Sequence, residues 1–310
     1  MALIDILLAT YNGEAWLEEQ LDSLFAQDFT DWRLLVRDDG SNDKTMSILR
    51  AAQTRAGERL IIVADSGENL GPVGNFARLM EASTADYSMF CDQDDLWHPA
   101  KLRLSLTKMQ EMESVCGPAI PLLVHTDFQV VDENLHVLAT SGHRYQKVEP
   151  EKGQTLGRLL VQNVATGCTM MMNRALRERA LPIPGEALMH DHWLSLVAAC
   201  FGRMACLPQP TLSYRQHGGN QVGAQVWNLA YVWGLPFRLR FIRQVMTRNR
   251  RQAQALFARY RRDLRAGEAA VLDAFIRLPE RGPLRRRCDI FRHGLFYCGF
   301  IRNFGWLILC

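Results

Sequence analysis

Strand-like and helix-like segments alternate through the first half of the sequence, and this alternation is the strongest restriction on the fold. Short apolar runs indicate buried strands, and apolar residues at helical spacing lie between them. Such a chain is predicted to form an α/β fold with a mostly parallel, doubly wound, Rossmann-like sheet and right-handed crossovers. The predicted strands of this half are residues 4–9, 32–36, 60–64 and 87–91.

The second half continues the pattern with less regularity. The polar stretch 140–154 is predicted to be a loop or excursion. From Val226 onward, aromatic and arginine residues occur without a strand pattern, so we place a domain boundary near residue 222. Further strands are predicted at 122–131, 167–173 and 207–215, and helices at 174–180 and 189–201.

Polar side chains follow three of the predicted strands. Thr10 follows the first strand, Asp39 follows the second, and Asp92 begins an acidic segment directly after the fourth. Ligands of doubly wound sheets bind beyond the carboxyl ends of the strands. The sequence therefore predicts a ligand site at this edge of the sheet.

The segment Asp92-Gln93-Asp94-Asp95 holds three carboxylates within four positions. Carboxylates this close repel one another unless a cation or a set of donors neutralises them, so the group is suited to a hard divalent ion. If the chain stays extended, Asp92 and Asp94 point to one side and Asp95 to the other. A solvated acidic turn that also caps the next helix is the alternative interpretation.

A nucleotide at this edge would be held without a glycine-rich loop. No Gly-x-Gly-x-x-Gly segment follows the first strand, and no P-loop motif occurs; carboxylates and a metal are left as the holding groups. The carboxylate of Asp39 can accept a hydrogen bond from a base N–H or a ribose hydroxyl. An Asp-Gly turn with a helix cap is the alternative for this position.

Composition excludes several other classes of protein. The chain has 310 residues, of which 48% are hydrophobic, so it can bury a large core. A net charge of +3 argues against nucleic-acid binding by bulk electrostatics. Its 8 cysteines form no Cys-x-x-Cys pair and are expected to be reduced thiols. No signal-peptide pattern is visible, and segment 294–310 is too short to span a bilayer, so a cytoplasmic protein is expected.

Three segments together resemble glycosyltransferase family 2, whose members are inverting enzymes of the GT-A fold that use nucleotide-diphosphate sugars. They are 9–13, 36–43 and 92–95, which read ATYNG, VRDDGSND and DQDD. The segments 189–194 and 214–220 further resemble rhamnosyltransferase-like members of that family. In those members a Trp is common at the position of His192. This difference leaves the neighbouring Asp191 unchanged. The resemblance covers residues 1–222.

The resemblance implies which residues bind the donor. Thr10, Glu14 and Asp39 would line the nucleoside pocket, and Tyr11 and Asn12 would shape it. The further donor-binding candidates are Asn75, Asp92 and Asp95, with Asp92 near the ribose.

The resemblance also implies a cofactor and a base. Asp94 would ligate Mg2+ or Mn2+ that bridges the diphosphate, and His217 would ligate the metal or bond the diphosphate. Asp191 would be the general base that deprotonates the acceptor hydroxyl. Two alternatives remain open: Asp191 as a helix cap, and His217 as a turn residue only.

The arginine-rich tail has two interpretations. A basic helix with an apolar face suits an anionic membrane surface, where a lipid-linked acceptor would be found. The alternative is a helical extension that packs on the catalytic domain. Nucleic acid is not an expected partner. The cations are arginines 238, 240, 243, 248, 250, 251, 259, 261, 262, 265 and 285–287, and the apolar residues include Phe237, Phe241, Leu256, Phe257 and Tyr260.

The sequence thus predicts two parts: residues 1–222, a GT-A nucleotide-sugar-binding and catalytic domain, and residues 223–310, a helical basic extension. The expected activity is transfer of rhamnose from dTDP-rhamnose to a hydroxyl of a surface polysaccharide or a lipid-linked glycan precursor. The expected location is the cytoplasm, at the inner face of the plasma membrane. A UDP-hexose donor, and a nucleotidyltransferase on a similar sheet, are the alternatives. A third alternative is a protein that binds sugar nucleotides without catalytic activity. An Asp191 that faces the metal across an open cleft would argue against it.

Overall fold

A nine-stranded sheet forms the centre of the protein. The computed structural model describes residues 4–64, 67–218 and 235–309. At residues 235–242, 300, 301, 304, 308 and 309 it describes the backbone alone. The strands are β1 Ile4–Thr10, β2 Trp32–Asp38, β3 Leu60–Ile62, β4 Tyr87–Cys91, β5 Leu96–Trp97, β6 Leu122–Val131, β7 Val137–Ala139, β8 Met170–Asn173 and β9 Arg203–Arg215. Their order across the sheet is β3-β2-β1-β4-β8-β6-β9-β5, and β7 pairs with β6.

The sheet is parallel in its first half and mixed in its second. β1 pairs in parallel with β2 and β4, and β2 with β3. β8 is antiparallel to both β4 and β6, whereas the long pairing of β6 with β9 is parallel. Most paired residues therefore lie in parallel ladders, and the predicted α/β fold is confirmed. The third strand ends two residues before the predicted end, and the last one begins four residues before the predicted start.

Apolar residues cover both faces of the sheet, as parallel sheets require. Ile6 and Leu8 of β1 belong to one core, and Leu7 between them belongs to the other. Helices complete both layers. They are α1 Leu17–Phe25, α2 Thr45–Ala56, α3 Gly71–Ala82, α4 Lys101–Cys116, α5 Gly142–Gln146, α6 Pro150–Gly153, α7 Leu156–Val161, α8 Arg174–Ala180, α9 His190–Phe201, α10 Leu235–Tyr260, α11 Ala266–Ile276, α12 Pro283–His293 and α13 Phe300–Leu309.

The C-terminal helices pack on the sheet domain. Leu256 of α10, Phe275 of α11 and Ile290 of α12 are buried in the same core as Leu160 of α7. The side-chain amide of Asn249 donates to the carbonyl of Leu160 at 3.0 Å. The described part of the tail thus consists mainly of helices, and these pack on the sheet domain. The predicted boundary at residue 222 and the side chains of Phe237, Arg238, Arg240 and Phe241 lie outside the described residues.

A membrane-spanning helix is not among these elements. Within residues 4–64, 67–218 and 235–309, no helix is both long and apolar enough to cross a bilayer.

Candidate active site

A cleft of about 900 Å³ opens beyond the carboxyl ends of β1, β2 and β4. One wall comes from these strand ends and from α3. The opposite wall comes from residues 161–167 and the start of α9, with Arg248 and Asn249 of α10 at its border. Seven of the predicted site residues line it: Thr10, Tyr11, Asp39, Asn75, Asp92, Asp94 and Asp191.

The acidic segment turns instead of staying extended, so the expected alternation of its side chains is not found. Carboxylate oxygens of Asp92 and Asp95 and the sulfur of Cys168 lie within 4.8 Å of one another. Asp94 stays at the cleft, with Oδ2 2.8 Å from His217 Nε2 and 14% of each side chain exposed. The turn thus separates an inner pair, Asp92 with Asp95, from an outer pair, Asp94 with His217.

Asp95 lies beneath the cleft, and its predicted contact with the donor is corrected here. Only 1% of the residue is exposed, because the turn folds it inward. Its Oδ1 accepts a hydrogen bond from the Arg215 N–H at 3.3 Å, which ties the end of β9 to the acidic turn. Burial, Asp94 and Asp92 raise the pKa of Asp95 well above its usual range. The ammonium of Lys101, also fully buried, interacts electrostatically with Asp95.

Asp92 faces like charges from two directions. Burial raises its pKa to about 7, and the carboxylates of Asp94 and Asp191 add to the effect. Asp191 comes from α9, far away in the sequence. The strand-end acids and the predicted base therefore meet in one cleft.

Asp191 is the second residue of α9, and the first helical position is preceded by Met189, which provides no side-chain cap. The Gly167 N–H donates to Asp191 Oδ2 at 3.1 Å, and the His192 N–H donates to Oδ1 at 2.5 Å. Burial raises the pKa of Asp191 to about 6, and these two hydrogen bonds oppose the rise. Met189 occupies the N-cap position itself, but Asp191 accepts from an N–H of the first helical turn, so the helix-capping alternative stays open beside the role of base.

Gly167 brings the backbone close to Asp191. A Cβ at Gly167 would lie 2.8 Å from His190 Nε2 and 3.5 Å from the Asp191 Cβ. A larger residue would therefore push the His190 ring away from the 3₁₀ turn formed by Gly167–Thr169, whereas its contact with Asp191 would be an ordinary one. The role of this glycine was missed from the sequence, because nothing near it in the chain indicates the contact.

His190 forms an apolar part of the cleft wall. Its ring packs 4.1 Å from the Phe76 ring and 4.4 Å from the Phe90 ring, measured between centroids. Burial lowers the pKa of His190 to about 3, so the ring is neutral. The adjacent His192 points elsewhere, with Nε2 2.6 Å from the Leu159 carbonyl oxygen.

The loop after β1 contributes to the cleft through fewer residues than expected. Tyr11 is 46% exposed and exchanges two hydrogen bonds with the Gln93 side chain, which ties the loop to the acidic turn. Asn12 and Glu14 are exposed and do not line the cleft. Asn12 Oδ1 accepts from the Asn42 N–H at 2.9 Å, and Glu14 Oε2 accepts from the Lys44 N–H at 3.0 Å. Both side chains thus organise the chain before α2, and their predicted place in the nucleoside pocket stays a prediction.

The remaining predicted contacts are Thr10, Asp39 and Asn75, all buried at the cleft floor. Thr10 Oγ1 donates to Asp38 Oδ1 at 2.9 Å. Asp39 accepts hydrogen bonds from the N–H groups of Leu70 and Gly71, both at 2.8 Å, and so fixes the start of α3.

The side chain of Asn75 lines the cleft and has a hydrogen-bond acceptor that is not used within the described part of the chain. Its Nδ2 donates to the Arg37 carbonyl at 3.2 Å, and its Oδ1 is buried with no hydrogen-bond partner in the described part of the chain. A buried acceptor that lines a cleft is suited to a ligand N–H or hydroxyl.

The outer pair fits a divalent ion. Asp94 supplies the carboxylate oxygen that Mg2+ and Mn2+ prefer, and the imidazole of His217 is a better ligand for Mn2+ than for Mg2+. The like charges around Asp92 need a counter-charge, which the raised pKa of Asp92 reflects. Gly219 and Asn220, which follow His217 in the predicted motif, lie outside the described residues.

Solved structures share this fold. S. aureus TarS 1–349 in complex with UDP aligns with a TM-score of 0.57 at 16% identity, over 91% of this chain and 73% of that one. Mannosyltransferase PcManGT from Pyrobaculum calidifontis, in complex with GDP-Man and Mn2+, aligns with a TM-score of 0.54 at 17% identity, over 99% of this chain and 78% of that one. The fold is that of the GT-A glycosyltransferases, as predicted.

The sequence comparison assigns the family. The family model described as Glycosyl transferase family 2 matches residues 5–179, which is more than half of the chain. The protein therefore belongs to glycosyltransferase family 2, and it is a transferase.

Relatives with names add detail. The chain is 29% identical over 231 residues to the dTDP-rhamnosyl transferase RfbG of Shigella flexneri, covering 71% of this chain and 74% of the relative. It is 24% identical over 233 residues to the putative teichuronic acid biosynthesis glycosyltransferase TuaG of Bacillus subtilis, covering 74% and 84%. The predicted likeness to rhamnosyltransferase-like members is confirmed.

Proposed function

We propose that the protein is an inverting, metal-dependent glycosyltransferase that moves rhamnose from dTDP-rhamnose to a hydroxyl of a surface polysaccharide or its lipid-linked precursor. One observation carries the proposal. Asp191, a carboxylate with a raised pKa, lines the same cleft of about 900 Å³ as the strand-end acids Asp92 and Asp94, and its charge acts on Asp92. An inverting transfer needs this arrangement, because the base must lie on the face of the sugar opposite the leaving diphosphate.

The strand-end wall is the donor side in this proposal. Tyr11, Asp39 and Asn75 border the nucleoside, and Asp92 accepts a hydrogen bond from a ribose hydroxyl. Asp94 and His217 hold Mg2+ or Mn2+. When bound, the ion supplies positive charge that stabilises the diphosphate as it leaves.

The α9 wall is the acceptor side. Asp191 takes the proton of the acceptor hydroxyl while that oxygen forms its bond to the anomeric carbon and the bond from this carbon to the diphosphate breaks. A base with a pKa of about 6 is ionised at neutral pH and can still accept a proton. The N–H groups of Gly167 and His192 fix the carboxylate, so its orientation costs little at the moment of reaction.

Two rival functions lose support. The family assignment argues against the nucleotidyltransferase. The position of Asp191 in the same cleft as the strand-end acids favours an enzyme over a binder without activity. A UDP-hexose donor stays the alternative, because TarS 1–349 has been solved with UDP and with UDP-GlcNAc.

A donor screen separates the two nucleotides. Purified protein with Mn2+ is mixed with dTDP-rhamnose, UDP-glucose, UDP-GlcNAc and GDP-mannose, and the melting temperature is recorded. A ligand at 100 times its Kd stabilises the folded state by about 2.7 kcal/mol, so dTDP-rhamnose is expected to give the largest shift. A larger shift of the melting temperature with either UDP-sugar would show that the donor is a UDP-sugar and not dTDP-rhamnose.

The proposed location is the inner face of the plasma membrane, and α12 offers a surface for it. Leu284, Cys288 and Phe291 are exposed and follow helical spacing, so they form one stripe, the α12 stripe. Leu284 is 82% exposed and Phe291 64%. Arg285 and Arg292, also exposed, lie along one side of the stripe, and the partly exposed Arg287 lies along the other. An apolar stripe between cations suits an anionic bilayer, where a lipid-linked acceptor would be found.

A further inference from the structure

A second group of metal-ligating side chains lies under the excursion that contains α5 and α6. One ring nitrogen each of His125 and His143 and the sulfur of Cys206 lie within 4.8 Å of one another. His125 and Cys206 are register partners on the adjacent strands β6 and β9, and His143 comes from α5. We propose that these three residues bind Zn2+ and fasten α5 to the sheet.

The residue types and the spacing fit this ion. Zn2+ takes imidazole nitrogens and thiolates in tetrahedral sites, with bonds of about 2.0–2.3 Å. Ligand atoms around such an ion are then about 3.5 Å apart, so small side-chain rotations bring the three atoms to bonding distance. His125 and His143 are 0% and 7% exposed, so the two imidazoles lie out of bulk water, whereas Cys206 is partly exposed.

Both imidazoles have a partner that orients the ring. His143 Nδ1 lies 3.4 Å from Asp127 Oδ1, which leaves Nε2 for the metal. A metal-bound His usually donates its second N–H to a carboxylate or a carbonyl. His125 Nε2 lies 3.2 Å from the side-chain amide nitrogen of Gln154, and His125 Nδ1 is buried without a hydrogen-bond partner among the residues that the structure describes. Turning the Gln154 amide by 180° would let its oxygen accept from the Nε2–H and leave Nδ1 for the metal. Each ring therefore offers one nitrogen.

The local charge also calls for a cation. Asp127 is 4% exposed, and its hydrogen-bond donors are the neutral groups Phe128 N–H, Ser141 O–H and His143 N–H. His143 is its one ion-pair partner among the described residues, so no permanently charged side chain there neutralises it. A buried carboxylate is stable only when it is paired. Zn2+ with a Cys206 thiolate and the Asp127 carboxylate is neutral in total.

The helix α5, which the proposed ion would hold against the sheet, extends to the border of the active-site cleft. Gln146, the last residue of α5, lines the cleft, and its carbonyl accepts a hydrogen bond from Arg302 Nη2 at 2.7 Å. The proposed ion thus acts on structure and is separate from the ion proposed at Asp94 and His217. It connects β6, β9 and α5.

Co2+ titration of the purified full chain, stripped of metal by a chelator, tests the site. A tetrahedral Co2+ with a thiolate ligand gives a charge-transfer band that an all-oxygen site cannot give. We expect this band to saturate at one ion per chain and to disappear when Zn2+ is added. Cys206→Ser should abolish the band, and Asp127→Asn, which acts through His143, should keep it and weaken affinity by about 10-fold.

Two controls locate the thiolate. Cys116→Ser changes a cysteine that is also partly exposed, and Cys168→Ser changes the thiol beside Asp92 and Asp95. Both should keep the band. The proposal is overturned by a wild-type protein without a thiolate band, by a band that survives Cys206→Ser, or by a band that Cys168→Ser removes. Should Cys206→Ser unfold, His125→Gln takes its place, with the same expected loss.

Discussion

The two walls of the cleft hold their acids in opposite ways. On the donor side, Asp92 lies at a strand end beside Asp94 and across from Asp191, and these like charges add to the effect of burial on its pKa. On the acceptor side, Asp191 lies in the first turn of α9, and the N–H groups of Gly167 and His192 oppose the effect of burial. Like charges thus help to raise the pKa of Asp92, whereas backbone N–H groups stabilise the carboxylate of Asp191.

This difference indicates a division of labour. A wall that repels its own charges becomes stable when a cation and a ribose hydroxyl arrive, so it is suited to binding. A carboxylate that is held by backbone donors and keeps a pKa of about 6 is suited to proton transfer. Changes on the donor side should therefore alter affinity, and changes on the acceptor side should alter the rate of transfer.

The largest effect is expected for Asp191→Asn. The amide keeps the size of the side chain but cannot accept the proton, so transfer should fall by about 100-fold or more while donor affinity is kept. Transfer to an acceptor and the melting-temperature shift with the donor are measured on the same protein. Glu186→Gln, which removes an exposed charge shortly before α9, is the control and should transfer normally. Wild-type transfer by Asp191→Asn would leave the base unidentified.

The next effect concerns the metal. Without an ion, the donor diphosphate meets Asp92 and Asp94 directly, so EDTA should weaken donor affinity by about 10-fold to 100-fold, or about 1.4–2.8 kcal/mol. Asp94→Asn should bind the donor with little response to Mn2+. Asp22→Asn, an exposed acid on α1, serves as the control. Equal donor affinity with and without EDTA would show that donor binding does not depend on a metal ion.

A smaller effect is expected for membrane binding through the α12 stripe. Replacing Leu284 and Phe291 by Ser removes most of the α12 stripe, and binding to vesicles that contain anionic lipid should weaken by about 10-fold. Leu284 is exposed and Phe291 contacts only the Phe296 ring among the described aromatic rings, so the fold should be kept with a small loss of stability. Val115→Ser, which changes a residue of 79% exposure on α4, is the matched control and should bind normally. If the double variant and the control bind vesicles equally, α12 is not the membrane surface.

The smallest effect is a change of stability with pH on the donor side. The pKa of Asp92 is raised to about 7 from 3.8. The folded state therefore binds more protons than the unfolded state between these values, and stability is lost as pH rises through about 7. Asp92→Asn escapes this loss. For a chain of 310 residues, recovering about 1 kcal/mol of the free energy of unfolding should raise the melting temperature by about 1–2 °C at pH 8 and hardly at all at pH 4.

The measurement is made without divalent ions, and addition of Mn2+ should narrow the difference. A variant that melts below the wild type at pH 8 would show that Asp92 is stabilised by its surroundings. The contrast between the two walls would then be wrong.

The sequence predicted the donor side better than the acceptor side. Strand β4 has the predicted bounds, and the positions of Thr10, Asp39 and Asp92 at strand ends follow from the strand pattern alone. This succeeded because parallel strands bring their carboxyl ends to one edge of the sheet, whatever the loops do.

What the sequence could not give depends on contacts between distant segments. The inward turn of Asp95, its neighbour Cys168 and the buried Lys101 come from three separate parts of the chain. The predicted loop 140–154 contains α5 and α6, which are too short for a periodic signal. The Gly167 N–H that holds Asp191 belongs to a 3₁₀ turn that had been assigned to a strand. None of these contacts leaves a local pattern.

The pH dependence of single-turnover transfer, compared between the wild type and Asp191→Asn at saturating donor and Mn2+, tests the central claim that Asp191 is the base. Below its pKa, Asp191 is protonated and cannot take the acceptor proton. The wild-type rate should therefore rise with pH through about 6 and level off. The residual rate of Asp191→Asn should lack this rise. If the variant retains the same rise near pH 6, another group accepts the proton and the account is contradicted.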